Sequence, residues 1–254
     1  MKGGPYAVVF RFTANRPFSP PLPEAVHAAF LDLVRRADPA LASTLHAPGH
    51  RIRPYTLSLL GPRSGKELRL RLSVLSPELF LHFWDRWERR GGVGLRLGRR
   101  WLSPAEVEKK GPWAGETPWS AFASLPPVRQ VLLAFSTPTT FRQGDVDLPL
   151  PVPRLFFSSL LAKWNAASPK PLDLDPEDFS RHLALTEARI RTTALWDGRA
   201  RIWGFVGPVE YRVKRDAHET FRRAVAALSA FSFYAGAGRH TTHGFGLVRL
   251  IHAA

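Results

Sequence analysis

The sequence contains no cysteine, and its single methionine is the first residue. The lack of thiols excludes disulfide frameworks, cysteine-ligated zinc, iron–sulfur clusters and thiol catalysis. The chain also lacks an apolar run of about 18 residues, the length that a transmembrane helix needs. Residues 1–13 have neither the long apolar segment nor the small-residue cleavage site of a signal peptide. We therefore expect a cytoplasmic protein with no membrane partner.

Acidic residues are also scarce. Aspartate and glutamate number 21 against 36 lysines and arginines, which gives a net charge of +15. Such an excess points to a polyanionic partner, either nucleic acid or an acidic membrane surface. Most of the basic residues are arginines, whose planar guanidinium binds phosphates in a bidentate manner and stacks on bases. The charge therefore indicates the class of partner, although it says nothing about the fold.

The length of 254 residues allows one large domain or two small ones. Hydrophobic periodicity in the first half predicts four strands and two long helices. The strands are Tyr6–Thr13, Ile52–Leu60, Leu68–Val74 and Val93–Leu97, and the helices are 22–36 and 76–90. A shorter helix is predicted over 38–46, with an aspartate at its start and a proline in its first turn. The order β-α-β-β-α-β is that of a ferredoxin-like domain.

Residues 109–127 are rich in proline and glycine and predict an irregular connection, after which the same order of elements begins again. The predicted strands are 130–135, 188–194, 202–213 and 245–251, and the predicted helices are 152–164 and 217–234, with a short extra helix near 176–185. We therefore predict an α+β chain of two tandem ferredoxin-like (RRM-like) domains, residues 1–126 and 127–254.

A glycine-rich segment, residues 236–246, lies between a predicted helix and a predicted strand. That position is wrong for a dinucleotide fingerprint, and no Gly-Lys-Ser/Thr follows as in a P-loop. A helix cap and a turn would need only one glycine, whereas this segment has four, together with an arginine and two histidines. Glycines let a backbone approach phosphates closely, so phosphate contact is predicted here. The candidate residues are Gly236, Gly238, Arg239, His240, Thr241, Gly244 and Gly246.

Two histidines are candidates for acid–base chemistry. His27 lies on the first long helix, and His46 ends the following short one. If these helices fold back on each other, the two imidazoles could face the same phosphate, and imidazole titrates near neutral pH. Taken singly, each histidine is explained more simply by structure, with His27 on an amphipathic helix and His46 as a cation at a helix C-terminus. No carboxylate–histidine cluster is found, so no metal and no cofactor are predicted.

Three segments together resemble a known family. They are the segment ending in Gly244-Phe245-Gly246, the run Asp38-Pro-Ala-Leu-Ala-Ser-Thr-Leu-His46 followed by Pro54-Tyr55-Thr56-Leu57-Ser58, and the run Phe135-Ser-Thr-Pro-Thr-Thr-Phe141 followed by Leu150-Pro-Val-Pro153. They are similar to motifs of the RAMP superfamily, and most of all to the CRISPR-associated endoribonuclease of the sixth Cas family. The resemblance extends over residues 6–251. The segment ending in Leu-His distinguishes the nuclease from relatives that do not cleave.

The resemblance implies a function. The family's catalytic histidine falls on His46, and a second histidine of some members falls on His27. A basic residue that follows the catalytic loop falls on Arg51 or Arg53, where many members have lysine. The implied reaction is the metal-independent cleavage of CRISPR repeat RNA, in which a 2′-OH attacks the adjacent phosphorus and leaves a 2′,3′-cyclic phosphate and a 5′-OH. The RNA would be bound through its hairpin and flanking single strand, with shape and phosphate contacts dominating.

Two other functions stay open at this stage. The first is a non-catalytic RAMP subunit that binds guide RNA within an effector complex, because such a subunit shares the fold and the glycine-rich segment. The second is a generic RNA-binding protein with RRM-like sheets, which the absence of an RNP1-like strand disfavours. Association with effector-complex subunits and formation of a homodimer are likewise open. A measurable cleavage of repeat RNA would separate the enzyme from both alternatives.

Overall fold

The computed structural model describes residues 3–19, 21–46, 52–61, 65–196 and 200–254, and at His46 it describes the backbone only. Within these ranges, no helix is both long enough and apolar enough to cross a membrane. The described elements form two large antiparallel sheets, one from each half of the chain, with helices packed on them, and a small two-stranded sheet within residues 141–148.

The first sheet is built around strand β1 (Tyr6–Phe18), whose buried aromatic and aliphatic side chains form the centre of one core. Its strand order is β2-β3-β1-β5-β4, and a short strand, β6, also pairs with β1. The elements of this half are α1 (Pro23–Ala37), α2 (Pro39–His46), β2 (Tyr55–Leu60), β3 (Gly65–Val74), a 3₁₀ turn (Pro77–Phe80), α3 (Leu81–Arg89), β4 (Leu95–Leu97), β5 (Arg100–Glu108) and β6 (Gly115–Glu116).

Helix α1 positions the first part of the site. Pro23 occupies the first turn, where its missing N–H has no helical partner to lose. Val26, Phe30 and Leu33 recur at helical spacing and are buried against the sheet. Asp38 then caps α2, because its carboxylate accepts a hydrogen bond from the backbone N–H of Leu41 at 3.1 Å.

The prediction for the end of the first half is wrong in one respect. The long strand beside β1 is β5, whereas the predicted Val93–Leu97 strand forms only the short β4 that pairs with it. Strand β5 contains Pro104, and the register with β1 shifts between Arg11 and Phe12 at this point. Proline donates no ladder hydrogen bond and is tolerated at such a bulge. The predicted irregular connection 109–127 also holds a short helix, α4 (Trp119–Ala123), in addition to β6.

The second half repeats the arrangement around strand β7 (Gln130–Thr139). Its sheet has the order β10-β12-β7-β13, with β11 paired to the far part of β12. The remaining elements are β8 (Phe141–Gln143), β9 (Val146–Leu148), α5 (Pro153–Ala167), α6 (Asp178–His182), β10 (Leu183–Ala188), β11 (Arg191–Trp196), β12 (Arg201–Val213), α7 (Glu219–Ala235), a 3₁₀ turn (Thr241–His243) and β13 (Val248–Ala253). In each sheet, the first strand lies between the third and the fourth strands of a β-α-β-β-α-β unit, so the predicted α+β, ferredoxin-like fold is confirmed.

A buried arginine joins the two halves. Arg71 on β3 is almost completely buried, and its guanidinium donates to the backbone oxygens of Trp113 at 2.9 Å and Phe233 at 2.7 Å. It also lies 4.5 Å from the ring of Phe233, which stacks on the indole of Trp113, and Arg249 covers that indole. Burial lowers the pKa of Arg71 to about 9, so it stays charged at neutral pH. These contacts satisfy a buried cation by bonding it to both halves at once.

Candidate active site

A cleft of about 930 Å³ opens between the two halves. One wall holds Ile52 and Arg53, and the other is formed by helix α5 and by residues 238–243 of the glycine-rich segment. Its charged lining residues are Arg53, Lys163 and Arg239, and none of the lining residues that the structure describes is a carboxylate. A groove of this sign concentrates anions and suits a phosphodiester backbone.

The glycine-rich segment is held in place by its own backbone. Gly238 and Gly246 both have positive φ, at +68° and +69°. A Cβ at Gly238 would lie 2.1 Å from the carbonyl oxygen of Thr140, and one at Gly246 would lie 2.0 Å from that of Ala237. These two glycines are therefore required for close packing within the protein.

The segment's amides are largely used in the same way. The N–H groups of Ala237, Arg239 and Gly246 donate to the carbonyls of Gly246, Thr140 and Pro138 at 2.8–3.0 Å. These three amides are therefore not available to an anion. Gly244, with φ +86°, has nothing within 4 Å of a Cβ built on it, so its space is open.

Three imidazoles meet where the segment touches α1. The ring of His27 stacks on that of His243, with centroids 4.2 Å apart, and His243 lies 6.1 Å from the ring of His240 in an edge-on arrangement. His240 adopts a left-handed conformation with φ +57°, which turns the chain into the 3₁₀ turn. Residues from opposite ends of the sequence are thus brought together, and His27 packs directly behind His243, which lines the cleft.

The contact of His27 with Thr242 defines a tautomer. Nδ1 of His27 lies 3.1 Å from the backbone oxygen of Thr242. A carbonyl oxygen can only accept, so Nδ1 carries the proton in this hydrogen bond. In the neutral ring, Nε2 is then the unprotonated nitrogen, the one that can take a proton. His243 is oriented by the same residue, because its Nδ1 lies 3.0 Å from Oγ1 of Thr242.

The other predicted site residues are described in part. His46 is the last residue of α2, but its side chain lies outside the described residues, as does the whole of Arg51. Arg53 donates to the backbone oxygen of Leu45 at 2.6 Å and so neutralises the C-terminal end of the helix that carries His46. Arg239 forms an ion pair with Asp147 of β9 and is half-buried beside the cleft. Thr241 and His240 line the cleft, and the Thr241 side chain also packs near Gly236, where the segment begins.

The arginines that alternate along β3 do not form a basic surface in the structure. Arg71 is buried, and Arg69 pairs with Glu108 of β5 at 3.3 Å. On the neighbouring strand, Arg11 pairs with Glu67 and Glu106. These strand cations are therefore largely neutralised within the sheet.

Sequence reasoning missed two residues of the site. His243 was noticed only as a histidine in a glycine-rich loop, and Lys163 was not singled out at all. Lys163 lies on α5, and its ammonium donates to the backbone oxygens of Ala235 and Gly236 at 2.9 and 3.2 Å. Burial lowers the pKa of Lys163 to about 7. A single lysine in an otherwise apolar stretch of helix was the one available signal.

Comparisons with known proteins identify the family. The family model described as CRISPR-associated endoribonuclease Cas6 matches residues 133–248. The CRISPR-associated endoribonuclease Cas6 of Mycobacterium tuberculosis is 27% identical over 206 residues, which are 78% of this chain and 63% of that protein. The chain thus spans less than two thirds of the length of this curated relative.

Solved structures match the whole chain. A structure described as a Cas6 product complex is 31% identical to this chain. The match covers 98% of this chain and 100% of the chain in that structure, with a TM-score of 0.87. The structure of Thermus thermophilus Cas6 is 30% identical, with coverages of 99% and 100% and a TM-score of 0.80. On the identity, the full coverage and the shared fold, the chain belongs to the Cas6 family of CRISPR-associated endoribonucleases.

Proposed function

We propose that this protein is a metal-independent endoribonuclease that cleaves CRISPR repeat RNA within precursor transcripts to give guide RNAs. The observation that carries the proposal is that His27 makes two contacts with the glycine-rich segment. The carbonyl of Thr242 fixes the tautomer with the proton on Nδ1, and the stacked ring of His243 fixes the orientation of the His27 ring. The cationic, carboxylate-poor lining of the described cleft supplies a path for the RNA backbone. Family membership supports the same substrate class.

The reaction is a transfer within the RNA. Nε2 of one imidazole removes the proton from the 2′-OH, and the 2′-oxygen attacks the adjacent phosphorus in line. The bond to the 5′-oxygen breaks, and a second, protonated imidazole gives that oxygen its proton. The products are a 2′,3′-cyclic phosphate and a 5′-OH end, and the reaction needs neither a metal ion nor a cofactor. His27 and His46 are the two imidazoles proposed for these roles.

Binding and positioning fall to other residues. Arg53 and Arg239 are proposed to contact phosphates, with Arg51 as a further candidate next to them in sequence. Gly236, Gly238 and Gly246 are proposed to act indirectly, by holding the segment that presents Arg239, His240 and Thr241 to the cleft. Gly244 is proposed to leave room for the RNA. Bringing the reacting groups into line accounts for much of the rate.

The organisation and location of the protein are proposals of the same kind. We assign residues 1–126 and 127–254 to two domains, which is supported by their separate sheets. We place the protein in the cytoplasm, where the precursor RNA is made and where a chain without cysteine loses nothing to a reducing environment.

Incubation with the repeat RNA of the host, in EDTA, tests the proposal. Cleavage at one position with the stated ends supports it, whereas cleavage that needs added magnesium contradicts it. His27→Ala and His46→Ala are each expected to lower the single-turnover rate by about 10²–10⁴-fold while the Kd changes little, because a general acid or base contributes mainly to the chemical step. His82→Ala, an exposed histidine on α3, is the matched control. If both histidine variants cleave at the wild-type rate, this site is wrong, and if wild type binds without cleaving, the non-catalytic RAMP subunit takes its place.

A further inference from the structure

Lys163 occupies a special place in the cleft. It lines the cleft of about 930 Å³ next to Arg239 and His240, and it also lines an adjoining cavity of about 240 Å³ that continues towards Ser76 and Leu79. Arg53 lines both spaces from the opposite wall. Lys163 therefore lies between two neighbouring cavities that share it, Ile52 and Arg53 as lining residues.

Its hydrogen bonds leave a donor for a ligand. An ammonium group has three N–H donors. The described contacts, to the backbone oxygens of Ala235 and Gly236, use two of them at the C-terminal end of α7. Both acceptors lie where the helix passes into the glycine-rich segment, so Lys163 is held at the base of that segment.

The electrostatic surroundings of Lys163 favour an anion. Burial lowers the pKa of Lys163 to about 7, because its ammonium is poorly hydrated. The other charged or titratable groups that line the cleft are Arg53 from the opposite wall and Arg239, His240 and His243 from the glycine-rich segment. Arg239 is paired with Asp147 of β9, but no carboxylate lines the described cleft beside Lys163. A phosphate in the cleft would supply the missing negative charge and hold the lysine in its protonated form.

We propose that Lys163 is an RNA-binding residue that contacts a backbone phosphate at the base of the glycine-rich segment. The inference rests on the proposed function, since it names a further contact for the same RNA. It also implies that the RNA strand passes between Lys163 and Arg53 and runs on into the adjoining cavity.

The test compares Lys163→Met, Lys163→Arg and wild type. The Kd for repeat RNA is measured by filter binding at several salt concentrations. Loss of one phosphate contact is expected to make the slope of log affinity against log salt less steep by about 0.7 in Lys163→Met. Lys163→Arg, which keeps a cation, is expected to keep the wild-type slope. Lys170→Met, which removes an exposed lysine just beyond α5 that does not line the cleft, is the matched control.

The pH dependence provides a second measurement. As the pH rises above about 7, wild-type Lys163 loses its proton in the free protein, so binding must recover that proton and weakens. Between pH 7.5 and 9, the affinity of wild type is therefore expected to fall from a value already below that of Lys163→Arg towards that of Lys163→Met. The arginine variant, whose guanidinium keeps its charge, is expected to stay constant over this window.

Different results would refute the Lys163 phosphate contact and the proposed function. An unchanged salt slope in Lys163→Met overturns the phosphate contact, and a lower affinity with the wild-type slope assigns Lys163 to holding the segment alone, which also overturns it. Thermal unfolding of each variant identifies a folding defect. If Lys163→Met does not fold, the comparison of Lys163→Arg with wild type across pH decides the question. Failure of wild type to bind repeat RNA at low salt would instead refute the proposed function.

Discussion

Two glycines of the glycine-rich segment, residues 236–246, test whether its glycines serve packing within the protein or the approach of RNA. Gly244 and Gly246 both have positive φ, at +86° and +69°, but only Gly246 is crowded. An alanine at either position must adopt a left-handed conformation, at a cost of about 1–2 kcal/mol. The stiffer unfolded chain offsets roughly 0.4–1 kcal/mol of that cost. Gly244→Ala is therefore expected to lower the free energy of unfolding by about 1 kcal/mol.

Gly246→Ala adds a collision. The new Cβ would lie 2.0 Å from the backbone oxygen of Ala237, so the backbone must move at residue 237 or at residue 246. That movement breaks the 2.8 Å hydrogen bond from the N–H of Ala237 to the oxygen of Gly246, and a buried bond of this kind contributes about 0.5–1.5 kcal/mol. With the strain of displacement, we expect a loss of about 3 kcal/mol or more.

The measurements are thermal and urea unfolding of both variants, alongside the Kd for repeat RNA. At about 2–4 °C per kcal/mol for a chain of this size, the Tm should fall by about 2–4 °C in Gly244→Ala and by about 6–12 °C in Gly246→Ala. Equal losses in the two variants would refute the packing argument. If Gly246→Ala kept its stability and lost only RNA affinity, the glycine would serve close approach of the ligand rather than packing.

Two further changes test the interface and the cleft. Arg239→Ala should weaken the binding of RNA and reduce the salt dependence of binding by about one phosphate contact, while the cleavage rate of bound RNA changes less. Filter binding and single-turnover kinetics measure the two effects. An equal loss of affinity and of cleavage rate would give Arg239 a part in the chemistry. Arg71→Ala leaves the carbonyls of Trp113 and Phe233 without their donor, so we expect a loss of at least about 2 kcal/mol in urea unfolding, since each buried unpaired group costs about 1–3 kcal/mol. Wild-type stability in that variant would mean that the buried cation was not needed there.

Much of the fold follows from local pattern. Strands such as Tyr6–Phe18 and helices such as Pro23–Ala37 carry periodicities that hold within each element, and the order of the elements then leads to the ferredoxin-like arrangement. The strand over Arg100–Glu108 was missed because Pro104 interrupts it, and only its place at a bulge beside β1 makes that proline acceptable.

That omission had an electrostatic consequence. Glu106 and Glu108 lie on the missed strand and pair with Arg11 and Arg69. The sequence therefore shows these arginines only as part of the excess of positive charge, whereas the sheet neutralises them. The opposing carboxylates are close only after the sheet has formed.

The candidate site was predictable in its parts but not in its assembly. His27 and the glycine-rich segment were each identified, whereas their contact joins residues 215 positions apart. The expected proximity of His27 to His46 stays a prediction, because the side chain of His46 lies outside the described residues; the rings described next to His27 are those of His243 and Tyr55. Lys163 carries no motif, and its importance follows from burial beside a cleft that neither half contains alone.

The hydrogen bond from His27 to the Thr242 carbonyl makes the candidate base a joint product of two folding units. One half supplies the imidazole, and the other selects its tautomer, so neither half by itself holds a base of defined protonation. A substitution that loosens the contacts of Arg71 between the halves would then lower the cleavage rate before it unfolds the protein. A shift between the halves that is too small to unfold either sheet is enough to break the hydrogen bond between the His27 ring and the Thr242 carbonyl. We therefore expect substitutions that lower activity to lie at the interface between the two halves as well as in the cleft.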